Sequence, residues 1–224
     1  MAHSRLTIFA GHYGSGKTNL AINYAVMLKR LYPGRRVILA DLDIVNPYFR
    51  SLDSADILNR MGIEVIASEY ANTSLEAPAM PSSALTLFND KSCFGVIDVG
   101  GDDRGAYAVG KYTDYICKDK ADIFLVCNKY RPLSREPVQV MAIKNEIESA
   151  AHICFTSIVN NSNLGMHTSP DDIIASLPYI KESSELCKLP VAFTGAMKTL
   201  AGNLPGISRL FAIEIYGKKQ WVIN

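Results

Sequence analysis

The sequence carries almost no excess charge of either sign. Its 23 Lys and Arg residues are balanced by 22 Asp and Glu residues, so the formal net charge over 224 residues is +1. Proteins that hold nucleic acid through bulk electrostatics carry a clear basic excess, and solvating polyanionic domains carry an acidic one. The balance argues against both classes, and we expect no nucleic-acid partner.

Long apolar runs and closely spaced cysteine pairs are also missing. No stretch reaches the roughly 18 consecutive apolar residues of a membrane-spanning helix, and the N-terminus lacks the charged-then-apolar layout of a secretory signal. The five cysteines are odd in number and no two have CxC or CxxC spacing. This spacing argues against a disulfide framework and against a four-cysteine zinc site. We expect a cytoplasmic protein without stable membrane association.

What the chain does contain is an alternation of strand-length apolar runs and helix-length segments. Hydrophobic residues make up 48% of the chain, which is enough for a sizeable core, and no linker or repeat divides it. Continuously apolar strands separated by helices are typical of a parallel sheet covered on both faces. We predict one domain over residues 1–224, of the α/β class, with a three-layer, doubly wound, mostly parallel sheet and helices on both faces. The predicted strands are 6–10, 37–40, 63–67, 94–97, 123–127, 153–159 and 189–194, and the main predicted helices are 18–31, 54–61, 135–150 and 207–216.

One motif carries specific chemistry. Gly11-His12-Tyr13-Gly14-Ser15-Gly16-Lys17-Thr18 fits the phosphate-binding pattern G-x-x-x-x-G-K-[ST], and it lies between a predicted strand and a predicted helix. Its glycines let the backbone curl so that N–H groups point at phosphate oxygens, and the helix N-terminus adds partial positive charge. Lys17 is predicted to reach the β- and γ-phosphates, and the Thr18 hydroxyl to bind Mg²⁺. The predicted nucleotide-binding residues of this P-loop are Gly11, His12, Tyr13, Gly14, Ser15, Gly16, Lys17, Thr18 and Asn19.

Carboxylates follow two further predicted strands. Asp41 and Asp43 come after the second strand, and Asp98 ends a later strand just before Gly100 and Gly101. Residues just past the carboxyl ends of strands line the ligand crevice of a doubly wound sheet. Asp41 and Asp43 are therefore placed to serve Mg²⁺ or the attacking water, although either one could instead cap a turn. Asp98 suits a Walker B acid, followed by glycines that respond to the γ-phosphate.

In this order, the segments at 11–18, 39–43 and 96–101 resemble those of the MinD/ParA family of P-loop ATPases, and the resemblance runs from about residue 5 to residue 200. It implies ATP and Mg²⁺ as cofactors. It also implies Lys17 and Asp43 as catalytic residues, with Asp43 orienting the water. The metal would lie near Thr18, Asp41 and Asp98. In that family an Asn at a strand end hydrogen-bonds adenine; Asn161 matches that position, Asn160 is the alternative, and both could instead form a turn.

The P-loop departs from that family at one position. MinD/ParA proteins usually carry a second lysine early in the loop, which reaches the partner's nucleotide across a dimer, and here His12 stands in its place. Histidine is shorter and mostly neutral at pH 7. The departure argues against a dimer with ATP sandwiched between its subunits and leaves a monomer or a nucleotide-dependent homodimer. The candidate substitute cations are Arg50, Arg104, Lys129 and Arg131, of which Arg104 is preferred because it follows the Asp98–Gly101 segment.

The resemblance implies a slow, Mg-dependent ATPase that is switched by its nucleotide and acts as an accessory or regulatory ATPase for an unidentified protein partner. Two alternatives stay open. One is an ATP-dependent small-molecule ligase or kinase similar to dethiobiotin synthetase, with residues 68–90 as the substrate site. The other is a regulatory module without significant turnover. A GTPase is disfavoured, because Asn128-Lys129-Tyr130-Arg131 places an arginine where the guanine-reading motif needs an acid.

Overall fold

The computed structural model of the chain describes residues 3–42, 52–67, 85–101 and 103–216. Within these ranges eight strands form one sheet, in the order β3-β2-β4-β1-β5-β6-β7-β8, and every neighbouring pair is parallel. The strands are β1 Leu6–Ala10, β2 Val37–Leu42, β3 Ile63–Ala67, β4 Phe94–Val99, β5 Asp122–Cys127, β6 Ser157–Asn160, β7 Val191–Met197 and β8 Leu210–Ile213.

Helices cover both faces of the sheet, which confirms the predicted three-layer, doubly wound α/β fold. The helices of the described ranges are α1 Lys17–Leu31, α2 Leu52–Arg60, α3 Leu85–Asn89, α4 Asp103–Gly110, α5 Thr113–Lys118, α6 Pro137–Ala151, α7 Pro170–Ala175, α8 Leu177–Cys187 and α9 Lys198–Ala201. One apolar core lies between the sheet and α1 with α2, and a second lies under α3, α4, α5, α6 and α8. None of the helices in these ranges has the length and apolar character needed to cross a membrane.

The chain changes its direction of travel across the sheet at β1. After β1 the chain forms β2 and then β3 on one side of β1, and β4 later fills the place between β1 and β2. Strands β5 to β8 follow one another on the other side of β1. The connection that leaves the carboxyl end of β1 therefore runs towards β2, and the one that leaves β4 runs in the opposite direction across the sheet, towards β5. A parallel sheet opens a ligand crevice at such a switch point, and the predicted P-loop and Asp98 follow or end these two strands.

The C-terminal part of the fold differs from the prediction. The predicted helix at 207–216 is wrong: its centre forms the edge strand β8, which pairs in parallel with β7. Phe211 and Ile213 alternate onto the core beside α1, as strand residues do. Asn23 of α1 hydrogen-bonds the backbone of Glu214, just past the end of this strand. Its side-chain Nδ2 donates to the Glu214 carbonyl at 2.8 Å, and its Oδ1 accepts from the Glu214 N–H at 2.9 Å.

Two other predicted boundaries also shift. The strand expected at 153–159 is shorter, because β6 begins only at Ser157, and the helix expected from 135 begins at Pro137, where proline suits the first turn. Most of the irregular segment at 68–90 lies outside the described residues, and its last part forms α3.

An ion-pair cluster holds the amino-terminal edge of the sheet, on the side opposite the predicted site. Arg5, just before β1, pairs with Asp119 and donates to the Leu87 carbonyl at 2.7 Å, and Lys91 donates to the same carboxylate at 2.7 Å. Burial acts to raise the pKa of Asp119, but the hydrogen bonds and charges of Arg5 and Lys91 outweigh it, so the pKa lies below its usual value. The ionised carboxylate is therefore the form that stabilises the fold.

Arg5→Ala is expected to lower the free energy of unfolding at pH 7 by about 1.5–3 kcal/mol, because it leaves the Asp119 carboxylate short of a charged donor. A depressed folded-state pKa contributes stability that is present above the unfolded-state pKa and is lost as pH falls through the folded value. The difference between wild type and variant should therefore shrink below about pH 4. Urea unfolding of both proteins at pH 7 and at pH 3.5 measures this difference in unfolding free energy. Lys181→Ala is the control, since Lys181 is exposed and has no ion pair in the described part of the chain; an equal difference at both pH values would contradict the expectation.

Candidate functional site

The P-loop lies between β1 and α1, as predicted. Gly16 stands at the helix N-terminus with a φ of 86°, in the left-handed region, and α1 begins at Lys17. Gly11 packs against β5 so closely that a Cβ there would lie 2.5 Å from the Val126 carbonyl oxygen. The loop closes on itself through a hydrogen bond from the Ser15 N–H to the His12 carbonyl, at 3.2 Å. These features give the compact strand–loop–helix turn that a phosphate cradle requires.

Two carboxylates lie side by side at the carboxyl end of the central strands. Asp41 of β2 and Asp98 of β4 are partners in the strand register, and each is only 1% exposed. Because side chains alternate along a strand, both point to the same face as Leu39 and Val96, which pack in the core beside α1. The predicted metal residues Asp41 and Asp98 are therefore neighbours on the α1 side of the sheet.

Thr18 links the P-loop to this carboxylate pair. Its hydroxyl, in the first turn of α1, donates to the Asp98 carboxylate at 2.5 Å. A hydroxyl and two carboxylates form an all-oxygen donor set, which is the kind that Mg²⁺ prefers. Mg²⁺ also commonly takes only one or two carboxylates from the protein and completes its shell with water and phosphate. The residues present thus fit a magnesium ion shared with a phosphate ligand.

Lys17 is only 5% exposed, and its ammonium donates to the His12 carbonyl at 3.2 Å. This bond places the ammonium over the P-loop. His12 itself hydrogen-bonds the carbonyl of its neighbour Tyr13 through Nδ1 at 3.2 Å. The main-chain oxygen of Asn19 accepts from Asn23 at 2.7 Å. Asp43, the predicted catalytic carboxylate, lies outside the described residues.

The carbonyl side of the P-loop is contacted by residues from two other loops. Asn161, just past β6, is buried, and its amide donates to the Ser15 carbonyl at 2.7 Å. Asn160, the alternative base reader, donates instead to the Ser176 hydroxyl at 2.8 Å. Of the two, Asn161 is therefore the one at the P-loop. Its other amide atom lies against Gly195 of β7, where a Cβ would be 2.8 Å from Oδ1. A glycine inside a strand marks such a close approach, and it is the sequence feature from which this contact could have been inferred.

Two of the four candidate cations have side chains that the structure describes, and they differ in position. Arg131 reaches the P-loop, where its Nε donates to the Gly14 carbonyl at 2.9 Å. Lys129 points away and donates to the Ala175 carbonyl, at the end of α7, at 2.8 Å. Arg50 and the side chain of Arg104, the preferred candidate, lie outside what the structure describes.

The segment after β4 packs directly on the P-loop. A Cβ at Gly101 would lie 2.5 Å from the Tyr13 nitrogen and 3.0 Å from the His12 carbonyl carbon. A Cβ at Gly105, in α4, would in turn lie 2.7 Å from the Gly100 Cα. The backbone of Gly101 therefore contacts the backbone of the P-loop, and the backbone of Gly100 contacts that of α4 at Gly105. The sequence indicated this segment as a phosphate sensor, but not its contact with Tyr13.

No protein-family model matches the chain, and no curated protein matches its sequence. Solved structures do match. Chloroplast FtsY from Physcomitrella patens has a TM-score of 0.58 at 15% identity, and FtsY from Mycoplasma mycoides has a TM-score of 0.54 at 14% identity. The signal recognition particle receptor FtsY from Elizabethkingia anophelis, solved in complex with GDP, has a TM-score of 0.51 at 16% identity.

The chain has the fold of the P-loop nucleotide-binding proteins. The matches cover 87% of this chain but only 59%, 62% and 58% of the three FtsY chains, so it spans about three-fifths of their length. Identities of 14–16% show a common fold.

Proposed function

We propose that this P-loop protein binds Mg·ATP, hydrolyses it slowly and acts as a nucleotide-switched accessory ATPase of the MinD/ParA type for a protein partner. The observation that carries the proposal is the 2.5 Å hydrogen bond from Thr18 to Asp98. It joins the first turn of the P-loop helix to a buried carboxylate pair at the switch point of the sheet. Two adjacent buried carboxylates repel each other and are costly to bury, and a cation bound between them and the phosphates would offset that cost.

Each part of the site has a chemical task in this proposal. Backbone N–H groups of the P-loop and the N-terminus of α1 bind phosphate oxygens. Lys17 neutralises charge on the β- and γ-phosphates. Thr18 and Asp98, with Asp41 beside them, would hold Mg²⁺, which supplies further positive charge to the phosphates. Asp43 orients the attacking water, as the family resemblance implies.

The contact between Gly101 and Tyr13 supports the switching part of the proposal. A γ-phosphate bound at the P-loop would contact the same backbone that Gly101 contacts. A displacement of Gly100 would then move α4, because Gly105 of that helix packs against Gly100. P-loop switches use such order changes to report their nucleotide state. The partner would then read the nucleotide state at α4.

Two features argue against guanine as the base, and a third supports adenine. The Asn128 side chain is used within its own loops, because Oδ1 accepts from Tyr130 N–H at 3.0 Å and Nδ2 donates to the Asn163 carbonyl at 3.2 Å. Arg131 stands where a guanine-reading carboxylate would be needed, and it donates to the P-loop instead. Asn161 lies close enough to the P-loop for the adenine role implied by the resemblance.

ATP is expected to bind at least tenfold more tightly than GTP, a difference of about 1.4 kcal/mol. Competition of both nucleotides against a fluorescent ADP analogue, with Mg²⁺ present, measures the ratio. Equal affinity, or a preference for GTP, would overturn the choice of ATP while keeping the P-loop assignment. No binding of either nucleotide by the folded wild type would overturn the proposed function itself.

Turnover separates the proposed ATPase from the two other functions that the sequence left open. A switch ATPase should release phosphate from Mg·ATP without any added metabolite, at a rate well below the usual enzyme range of about 1–10³ s⁻¹. Turnover that appears only with a small-molecule substrate would indicate a ligase or kinase. Tight binding without phosphate release would indicate a regulatory module.

A further inference from the structure

The side chain of Asn128 is fully buried where the loop after β5 meets the loop after β6. Its Oδ1 accepts from the backbone N–H groups of Tyr130, at 3.0 Å, and of Asn163, at 3.2 Å. Its Nδ2 donates to the Asn163 carbonyl, also at 3.2 Å. The amide therefore binds both polar groups of the Asn163 backbone. These bonds fix its orientation, because a flipped amide would set N–H against N–H and oxygen against oxygen.

Asn163 extends this connection to the P-loop. Its side-chain Nδ2 donates to the Asn161 carbonyl at 2.7 Å, and the Asn161 amide in turn donates to the Ser15 carbonyl at 2.7 Å. The Asn161 amide also lies directly against Gly16, where a Cβ would collide with Nδ2. Gly16 is the left-handed residue from which α1 begins. A continuous path of contacts thus runs from Asn128 to the last turn of the P-loop.

The carbonyl oxygens of the P-loop are the groups that this path reaches. A loop that turns its N–H groups towards phosphate turns its carbonyl oxygens away, and those oxygens need donors of their own. Asn161 meets this need at Ser15, and Arg131 meets it at Gly14. Asn128 also holds the second donor in place, because its own carbonyl accepts from the Arg131 N–H at 3.1 Å. A loop that is held in its curled form in this way does not have to be ordered by the ligand, and such preorganisation raises affinity.

We propose that Asn128 is a positioning residue for nucleotide binding: through Asn163 it holds the Asn161 amide on the Ser15 carbonyl, and so it keeps the P-loop in its phosphate-binding form. This inference rests on the proposed function, because it needs a phosphate ligand in the P-loop. It gives a task to the asparagine of the segment 128–131, which does not match the guanine-reading motif. That task concerns the phosphates and is independent of the base.

Asn128→Asp tests the inference, because it keeps the shape and the oxygen acceptor but replaces the donor to the Asn163 carbonyl with a second oxygen. Calorimetry with Mg·ATP, and with Mg-tripolyphosphate, which has the phosphates and no base, compares the variant with wild type. We expect both affinities to fall about tenfold, the usual consequence of losing one buried hydrogen bond. Wild-type affinity for tripolyphosphate would overturn the inference, whether or not ATP binding falls, since a loss confined to ATP would place the effect at the base.

A double-mutant cycle with Asn161→Ala shows whether Asn128 acts through the Asn161 amide. Asn161→Ala alone should also lower the tripolyphosphate affinity about tenfold. In the Asn161→Ala background, Asn128→Asp should cause less than about a twofold further loss, because the path that it would break is already cut. A full tenfold further loss would contradict the inference, since an effect of the added negative charge or of general destabilisation does not depend on Asn161.

Tyr179→Phe is the matched control. The Tyr179 hydroxyl donates to the Ser134 carbonyl at 2.6 Å, in the loop after β5, so the substitution removes a buried hydrogen bond that lies outside the path to Asn161. Its affinities should stay within about twofold of wild type, even if its stability is lower. If Asn128→Asp does not fold, Asn163→Ala breaks the path at a half-buried side chain, and wild-type tripolyphosphate affinity in that variant would overturn the inference. If the wild type binds neither probe, the proposed function is refuted instead.

Discussion

Replacing Lys17 with alanine is expected to weaken Mg·ATP binding by about 100-fold or more while the protein stays folded. The ammonium lies over the P-loop and hydrogen-bonds the His12 carbonyl at 3.2 Å. Removing it takes away the one charge that the P-loop sequence itself contributes to the phosphates. Alanine is also the best helix former, so the first turn of α1 should not be disturbed. Calorimetry at fixed Mg²⁺ measures the affinity, and thermal unfolding without nucleotide checks the fold.

Lys29→Ala provides the control for this substitution within the same helix. Lys29 lies in the last turn of α1, and its ammonium donates to the Pro33 and Arg35 carbonyls, far from the P-loop. That variant should bind ATP like wild type, even if its stability is slightly lower. A folded Lys17→Ala protein with unchanged ATP affinity would exclude the P-loop as the nucleotide site.

Gly101→Ala is the second substitution for which we expect a large effect. The added methyl would meet rigid backbone, 2.5 Å from the Tyr13 nitrogen and 2.9 Å from its Cα, and neither atom can rotate away as a side chain can. Overpacking of this kind costs about 1–3 kcal/mol. Because the methyl would occupy the space beside a P-loop N–H, the cost should appear as a loss of ATP affinity of roughly 5- to 150-fold.

Gly34→Ala is the matched control for Gly101→Ala, since a Cβ at Gly34 meets nothing within 4 Å and the residue does not have a left-handed φ. Its ATP affinity should equal that of wild type. Wild-type affinity in Gly101→Ala would instead mean that the Gly100–Gly101 segment moves off the P-loop at no cost. The contact would then have no part in nucleotide binding or switching.

The sequence predicted the layers of the fold and the place of the P-loop between a strand and a helix, because both depend on local patterns. Apolar runs of strand length can be buried only in a covered parallel sheet. The glycine spacing at 11–16 permits one compact turn between a strand and a helix. The prediction that failed, a helix at 207–216, fell on an edge element. Phe211 and Ile213 suit either periodicity over so short a run, and pairing with β7 favours the strand.

The sequence by itself indicated the groups that we propose to hold phosphate and metal: the P-loop, Lys17, Thr18 and the acids that end strands. Only the tertiary structure decided which distant residues meet that loop. Arg131 and Asn161 are 117 and 146 residues from their P-loop partners along the chain. Both contacts depend on parallel strands that bring the carboxyl ends of β1, β5 and β6 to one edge of the sheet. Of the two candidate cations whose side chains the structure describes, the strand order and the loop geometry placed Arg131 on the P-loop and turned Lys129 away from it. A side chain's reach is set by its neighbours in space and not by its neighbours in sequence.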